Sequence, residues 1–218
     1  MTDSAEQMKQ ARMERFLKGQ DWKHGDVSHR EYPSYEAYLE HQAAKLKNIQ
    51  GTLEGKAEAT IDMFRRRFEL LPLKPAASVL CLGARLGHEV MAFLSLGHFA
   101  LGIDLNPGPN NKYVTVGDFH HLVQADRSVD CVYMNSMDHI YDIEAFCTEV
   151  RRVLKPGGFF AADIVYGYEE GFWAGEFEVI HWPTARSFAE KLASTGRFTI
   201  ESFRDLKYQW YQCVLRPE

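Results

Sequence analysis

A few residues in this 218-residue chain have the types and spacing to do chemistry. Gly83 and Gly87 bound a short turn, Gly83-Ala84-Arg85-Leu86-Gly87. Glycine has no Cβ, so a turn of this kind lets the backbone come close to a ligand. Asp104 follows Gly83 by 21 residues, near the roughly 20 that separate a glycine turn from a ribose-binding acid. Its carboxylate would accept hydrogen bonds from two neighbouring hydroxyls, a charge-assisted pair; the plainer alternative is a helix cap or turn residue. Further along stand Asn135, Ser136 and His139, and then Asp163. His139 is the most economical proton acceptor of these, because an imidazole titrates near neutrality. A plain hydrogen-bonding histidine is the competing reading. Histidines and carboxylates also bind metals, but no HxxxH or similar spacing occurs, so no metal is expected.

The elements that must hold these residues are legible in the hydrophobic pattern. Ser78 to Leu82 is a short apolar run, long enough for one buried strand, and it leads into the glycine turn. Val90, Phe93, Leu94 and Leu96 then recur at helical spacing until Gly97, and Phe99 to Ile103 forms a second strand ending on Asp104. Strand, glycine turn, helix, strand and acid make a nucleotide-type βαβ unit. Tyr113 to Val116 and Ser128 to Met134 read as a third and a fourth strand. A helix from about Asp142 to Leu154 precedes the stop signal Lys155-Pro156-Gly157-Gly158. Phe159 to Val165 is a fifth strand, followed by an aromatic loop through Trp182 and a helix from Thr184 to Ser194. Two last strands, at about Phe198–Arg204 and Gln209–Leu215, are joined by too short a link for a crossover helix and must pair antiparallel. The expected fold is α/β: a Rossmann-like, seven-stranded, mostly parallel sheet with one antiparallel edge strand from the C-terminal hairpin and helices on both faces.

Residues 1–73 read as a helical N-terminal extension or cap, and 74–218 as the main domain. One helix spans roughly Ser4 to Lys18, and Gly19 to Pro33 reads as a loop. A second helix starts near Ser34, with Tyr35, Tyr38, Leu39, Leu46 and Ile49 at helical spacing, and a third runs from about Thr52 to Leu71. The formal charge of −5 argues against nonspecific binding to nucleic acid or to an anionic membrane. Arg65-Arg66-Arg67 is the one compact basic run, and such a run is usually a solvated helix face. Cys81, Cys131, Cys147 and Cys213 show no CxxC pairing, and three of them sit in apolar or amphipathic stretches as small hydrophobes. No signal-peptide pattern or membrane-length apolar run is present, so a cytoplasmic, reduced protein is expected.

With these motifs in order, the chain resembles a class I S-adenosylmethionine-dependent methyltransferase with type 11-like motifs. The resemblance covers roughly Ala76 to Arg216 and rests on VLCLGARLG, GIDLNP, GDFHHL, SVDCVYMNSMDHIYD and EVRRVLKPGGFF. No one motif is specific; their register and the terminal hairpin are. The resemblance implies S-adenosyl-L-methionine as cofactor, with Gly83, Ala84, Arg85 and Gly87 along its methionine part and Asp104 and Leu105 at the ribose. It implies Gly117, Asp118 and Phe119 at the adenine, where Asp118 accepts from the exocyclic amine, and Asn135 at the exit of the fourth strand. The pattern departs at two places. Cys81 stands where the family has an acid that helps hold the cofactor's amino group, and Arg85 stands where it has a glycine. That amino contact is therefore absent or supplied elsewhere.

The implied reaction is methyl transfer by in-line displacement, in which positioning does most of the work and a hydroxyl acceptor gains from a base. His139 and Asp163 are the catalytic candidates. Asn135-Ser136-Met137-Asp138 lacks the proline-rich NPPY form of the amino-methylating nucleic-acid enzymes, so a small molecule or sugar methylated at oxygen is the expected acceptor. The rival is a catalytically degenerate protein of the same fold that binds cofactor or a partner. An NAD-dependent oxidoreductase is a third reading, disfavoured by the missing GxGxxG. Aromatics of the 166–182 loop either wall the acceptor pocket or cap the core.

Overall fold

The computed structural model describes residues 2–218, except for the side chains of 2–5 and 47–54. The chain begins with α1 (Thr2–Lys18), two short strands, β1 (Trp22–Lys23) and β2 (Ser28–Arg30), and two helices, α2 (Tyr35–Glu54) and α3 (Ala57–Phe68). The Ile49 side chain, expected on the apolar face of α2, lies outside the described residues. There follow β3 (Ser78–Leu82), α4 (His88–Ser95), β4 (Phe99–Asp104), β5 (Val114–Val116) and β6 (Val129–Met134). The rest is α5 (Ile143–Val153), β7 (Leu154–Val165), β8 (Ile180–His181), α6 (Ala185–Gly196), β9 (Phe198–Lys207) and β10 (Trp210–Pro217).

Seven strands form the main sheet in the order β5-β4-β3-β6-β7-β10-β9. β3 pairs in parallel with β4 on one side and β6 on the other, and β10 runs antiparallel to both β7 and β9. The antiparallel strand is thus inserted one place in from the edge, and β9 closes the sheet. The chain grows outward from β3 to β4 and β5, then returns to β6 on the other flank. Where the order reverses, two connections leave in opposite directions and a crevice opens beyond the strand ends. Asp104 ends β4 and Asn135 follows β6 on the two sides of that crevice.

Period-two alternation explains why both faces are apolar. On β3, Leu80 and Leu82 face a core with Val132, Met134 and Phe160, covered by Phe146 and Val150 of α5 and Phe188 of α6. Val79 and Cys81 face the other way, against Tyr133, Phe159, Phe64 and Phe68 of α3, and Val90 and Phe93 of α4. Phe68 stacks on Phe93 with ring centroids 3.7 Å apart and planes within 4°. Burying each such side chain contributes roughly 1.5–3 kcal/mol. All four cysteines are free and buried, as small hydrophobes would be.

The segment from Gly19 to Pro33, expected as a loop, instead carries β1 and β2, which pair as a hairpin, and β2 also pairs with β8. Two- and three-residue strands leave no alternation to read, and the partner strand lies about 150 residues further on in sequence. Phe16 and Trp22 pack edge to face, centroids 5.0 Å apart, over Ala174. Val27 and Tyr38 belong to the same buried cluster as the strands of the main sheet.

Asp163, expected at the acceptor, is fully buried inside the sheet's second face and does not reach the crevice. Its Oδ2 accepts from Arg67 Nη1 and from the Tyr133 hydroxyl, both at 2.9 Å, and its Oδ1 accepts from Gln212 Nε2 at 3.1 Å. Burial raises its carboxyl pKa and the Arg67 guanidinium opposes the rise. The group ties α3 to β6, β7 and β10. An acid interrupting an apolar strand looks functional in sequence, but here it answers an arginine of the helix above. Removing one partner of a buried pair strands the other charge, at about 3–5 kcal/mol. Asp163→Ala should lose that much stability in urea unfolding, and the double variant Asp163→Leu/Arg67→Met should lose much less.

Candidate active site

The turn after β3 is forced by its neighbours. Gly83 has φ of +65°, and a Cβ there would stand 2.2 Å from Ser136 Oγ at the exit of β6. Arg85 also occupies the left-handed region, at φ +43°. A non-glycine residue there costs roughly 1–2 kcal/mol, which explains why a glycine is the usual choice. The strain is held by two ties: the Arg85 N–H donates to Asp104 Oδ2 at 2.9 Å, and its carbonyl accepts from Asn111 Nδ2 at 3.0 Å. Gly87, expected to let the backbone approach a ligand, does something else. At φ +82° its missing Cβ leaves room for Tyr113 and Val114, 2.9 and 3.1 Å away, so it seats the start of α4 against β5.

Asp104 is buried, and each of its oxygens accepts one backbone N–H, from Arg85 at 2.9 Å and from Asn106 at 2.8 Å. A carboxylate offers about four acceptor sites, so two remain. Asp104 borders a cavity of about 30 Å³ lined also by Leu105, Phe119, Tyr38 and Gln42. A second cavity, of about 300 Å³, is lined by Ala84, Glu89, Asn135, Lys45, Phe64 and Trp210, among others. Gly83, Arg85, Ser136 and His139 border both. The second lies at the lower end of the range of small-molecule sites, roughly 300–1,000 Å³.

The electrostatics of the shared wall centre on His139. Its Nδ1 lies 3.0 Å from the Phe177 carbonyl and its Nε2 lies 2.6 Å from Lys45 Nζ. Burial and then the neighbouring Lys45 charge push its pKa well below the usual imidazole value, so the ring is neutral. Its Nδ1–H therefore donates to Phe177 and its Nε2 accepts from Lys45. Burial likewise lowers the pKa of Lys45, while Asp138 opposes the drop. The first turn of α4 places Glu89 on the second cavity, where its Oε1 accepts from Asn135 Nδ2 at 3.2 Å.

Thus Gly83, Ala84, Arg85, Asp104, Leu105, Phe119, Asn135 and His139 surround the two cavities, while Gly87, Gly117, Asp118 and Asp163 line neither. The Asp118 carboxylate is already engaged. It accepts from the Tyr35 hydroxyl of α2, and its Oδ1 accepts from the His120 backbone N–H at 2.8 Å and from His120 Nδ1 at 2.9 Å. His120 Nε2 in turn accepts from the Tyr141 and Asp142 N–H groups. Asp118 therefore fastens α2 over the site. Sequence reading missed Tyr38, Gln42, Lys45 and Glu89. Tyr35, Tyr38, Gln42 and Lys45 fall at spacings of three, four and three along α2, one helical face. The signal was available: two polar residues continue a face begun by two tyrosines. The loop aromatics line neither cavity. Trp182 stacks on Phe188 at 4.0 Å, and Tyr168 and Trp173 pack on Phe16.

A family model described as a methyltransferase domain matches residues 80–162. No curated protein matches the chain in sequence. Among solved structures, the 1,6-didemethyltoxoflavin-N1-methyltransferase of Burkholderia thailandensis, with bound 1,6-didemethyltoxoflavin and S-adenosylhomocysteine, is 15% identical; the match covers 90% of this chain and 99% of that one, with a TM-score of 0.68. A chain of the Haloferax volcanii complex between the Trm112 methyltransferase activator and a methyltransferase is 18% identical over 83% and 98%, with a TM-score of 0.63. A SAM-dependent methyltransferase of Methanosarcina mazei is 22% identical over 68% and 98%, with a TM-score of 0.54. These likenesses establish the fold. That fold is the one seen in S-adenosylmethionine-dependent methyltransferases, and the domain match covers residues 80–162 within it. Among the described residues no metal-ligand cluster occurs, and no helix is long and apolar enough to cross a membrane.

Burial alone would raise the Asp118 pKa, but the bonds from His120 and Tyr35 pull it down to about 2. An unfolded aspartate titrates near 3.9. Because the folded value is the lower, this carboxylate's stabilising contribution is complete above about pH 4 and lost as pH falls toward 2. Urea unfolding between pH 5 and 2 should show wild type losing more stability across that window than Asp118→Asn.

Proposed function

We propose that the protein transfers the methyl group of S-adenosyl-L-methionine to a hydroxyl of a small molecule or sugar. The observation that carries this reading is the pair of cavities with a common wall at the strand-order reversal. One has the ribose-type acid and an apolar flank; the other adjoins it through Gly83, Arg85, Ser136 and His139. The donor set suits the cofactor: Asp104 has two unused acceptor sites for the ribose hydroxyls, and Leu105 and Phe119 offer apolar surface to the adenine. Gly83 and Ala84 would lie along the methionine part with Asn135, and Arg85 would face its carboxylate. When bound, the cofactor supplies an electrophilic methyl group on a sulfonium, open to in-line attack.

The chain's own residues would orient and deprotonate the acceptor. α2 and α3 contribute Lys45, Thr60 and Phe64 to the wall of the second cavity, whose volume suits a small molecule. The small-molecule methyltransferase among the structural relatives supports the same acceptor class. His139 is neutral and fixed by Phe177, and it receives a hydrogen bond from Lys45, whose own pKa is lowered by burial. A hydroxyl acceptor would pass its proton to this pair once Lys45 has lost its own, with Lys45 as acceptor and His139 as its positioning partner.

Isotope-labelled cofactor incubated with the protein and a metabolite extract should yield a labelled product of low mass, methylated at oxygen by mass spectrometry. Label at nitrogen or on macromolecules alone would overturn the acceptor assignment. Asp104→Ala should abolish cofactor binding in calorimetry. Lys45→Met should leave cofactor affinity intact while lowering kcat about 10²–10⁴-fold, and it should remove the rise of kcat with pH that follows deprotonation of Lys45.

A further inference from the structure

Glu89 is a buried carboxylate on the second cavity with no part in the proposed proton transfer. Its carboxylate is 9% exposed and opens onto the second cavity, beside Gly83 and Ala84. It accepts one side-chain hydrogen bond, from Asn135 Nδ2 at 3.2 Å. Among the described residues no cation pairs with it; Arg85 shares the cavity wall without coming into ion-pair contact. Burial pushes its pKa up to about 7, with its own backbone N–H, Asn135 and Arg85 opposing the rise and Asp104 adding to it. A carboxylate so placed has acceptor sites left over and a cavity in front of them. A cation arriving in the cavity would restore its ionised form.

The neighbouring residue sharpens the point. Cys81, at the position where the family resemblance expects an acid for the cofactor's amino group, is completely buried, and burial pushes its thiol far above the ordinary value. It carries no negative charge. Glu89 is close enough to Cys81 to add to that rise, and its own oxygens reach the cavity that Cys81 does not. The acid missing from the end of β3 thus has a counterpart one helical turn into α4.

We infer that Glu89 binds the amino group of the methyl donor, taking over from α4 the contact that the chain gave up at Cys81. This rests on the methyl-donor reading and adds to it the residue that distinguishes an amino-acid-bearing cofactor from a bare nucleoside. A primary ammonium brings three donors and a full positive charge, and hydrogen bonds to charged groups are the strong ones. Asn135 holds the carboxylate in place for it. The second role open to such a group, a general base acting on the acceptor, predicts different binding behaviour and is separated by the same experiment.

Three ligands titrated by calorimetry into wild type and Glu89→Gln test the assignment. They are S-adenosylhomocysteine, its analogue with hydrogen in place of the amino group, and 5′-methylthioadenosine, which lacks the amino-acid part. Wild type should prefer S-adenosylhomocysteine to the deamino analogue by about tenfold to a hundredfold. Glu89→Gln should bind those two alike, and Glu89→Asp should recover part of the preference. Methylthioadenosine should bind both proteins equally, which also shows that the variant is folded and its adenosine site intact. A preference for the amino group that survives in Glu89→Gln, with methylthioadenosine bound normally, overturns the inference and leaves the methyl-donor reading standing. So does unchanged binding of all three with a fall in kcat, which is the signature of a base. Failure of wild type to bind methylthioadenosine at all sinks both.

Discussion

Everything at the site depends on one crowded crossing, where the turn leaving β3 passes the exit of β6. A side chain at Gly83 would collide with Ser136, so the chain crosses there as bare backbone. That contact fixes the height of the turn over the strand ends, and Asp104 then clasps the turn from the far side through the Arg85 N–H. The same carboxylate that offers acceptor sites to a ligand is therefore a strut of the turn. The crossing exists because β3 lies between β4 and β6, so that the chain must leave the sheet's centre in both directions.

Around that crossing, the structure distributes strain and charge among elements far apart in sequence. Arg85 accepts a left-handed backbone because Asp104 and Asn111 hold it from two sides. Asp118 is spent on Tyr35 and His120, and this draws the first turn of α2 onto the main domain. Tyr38 adds a bond to the His139 carbonyl at 3.1 Å, and Gln42 one to Phe177 at 2.9 Å. The N-terminal helices are thereby part of the site's walls, and Lys45 meets His139 because three anchors on the same helical face precede it. Carboxylates divide accordingly: Asp163 and Asp118 hold elements together, while Asp104 and Glu89 open onto cavities.

The sheet, its switch point, the terminal hairpin and the acid ending β4 were all legible in the sequence. Each is written in local terms: apolar runs of strand length, glycine stops, helical spacing, and a link of a few residues that permits only a hairpin. The same local terms misled at Asp163, where an acid inside an apolar strand could not announce that Arg67 would come down on it from α3. At Gly87 they could not show that Tyr113 and Val114 would take up the empty Cβ position. They passed over β1 and β2, which are strands only by virtue of β8.

Sequence by itself determined which backbone could be built and where its strand ends would lie, because burial and turn chemistry act between near neighbours. Tertiary structure alone decided which polar side chains share a cavity. Lys45 and His139 are 94 residues apart and Asn135 and Glu89 are 46, and no periodicity links such pairs. Whether a carboxylate becomes a strut or a binding group depends on which donors packing brings to it, and that is settled only once the helices are seated on the sheet.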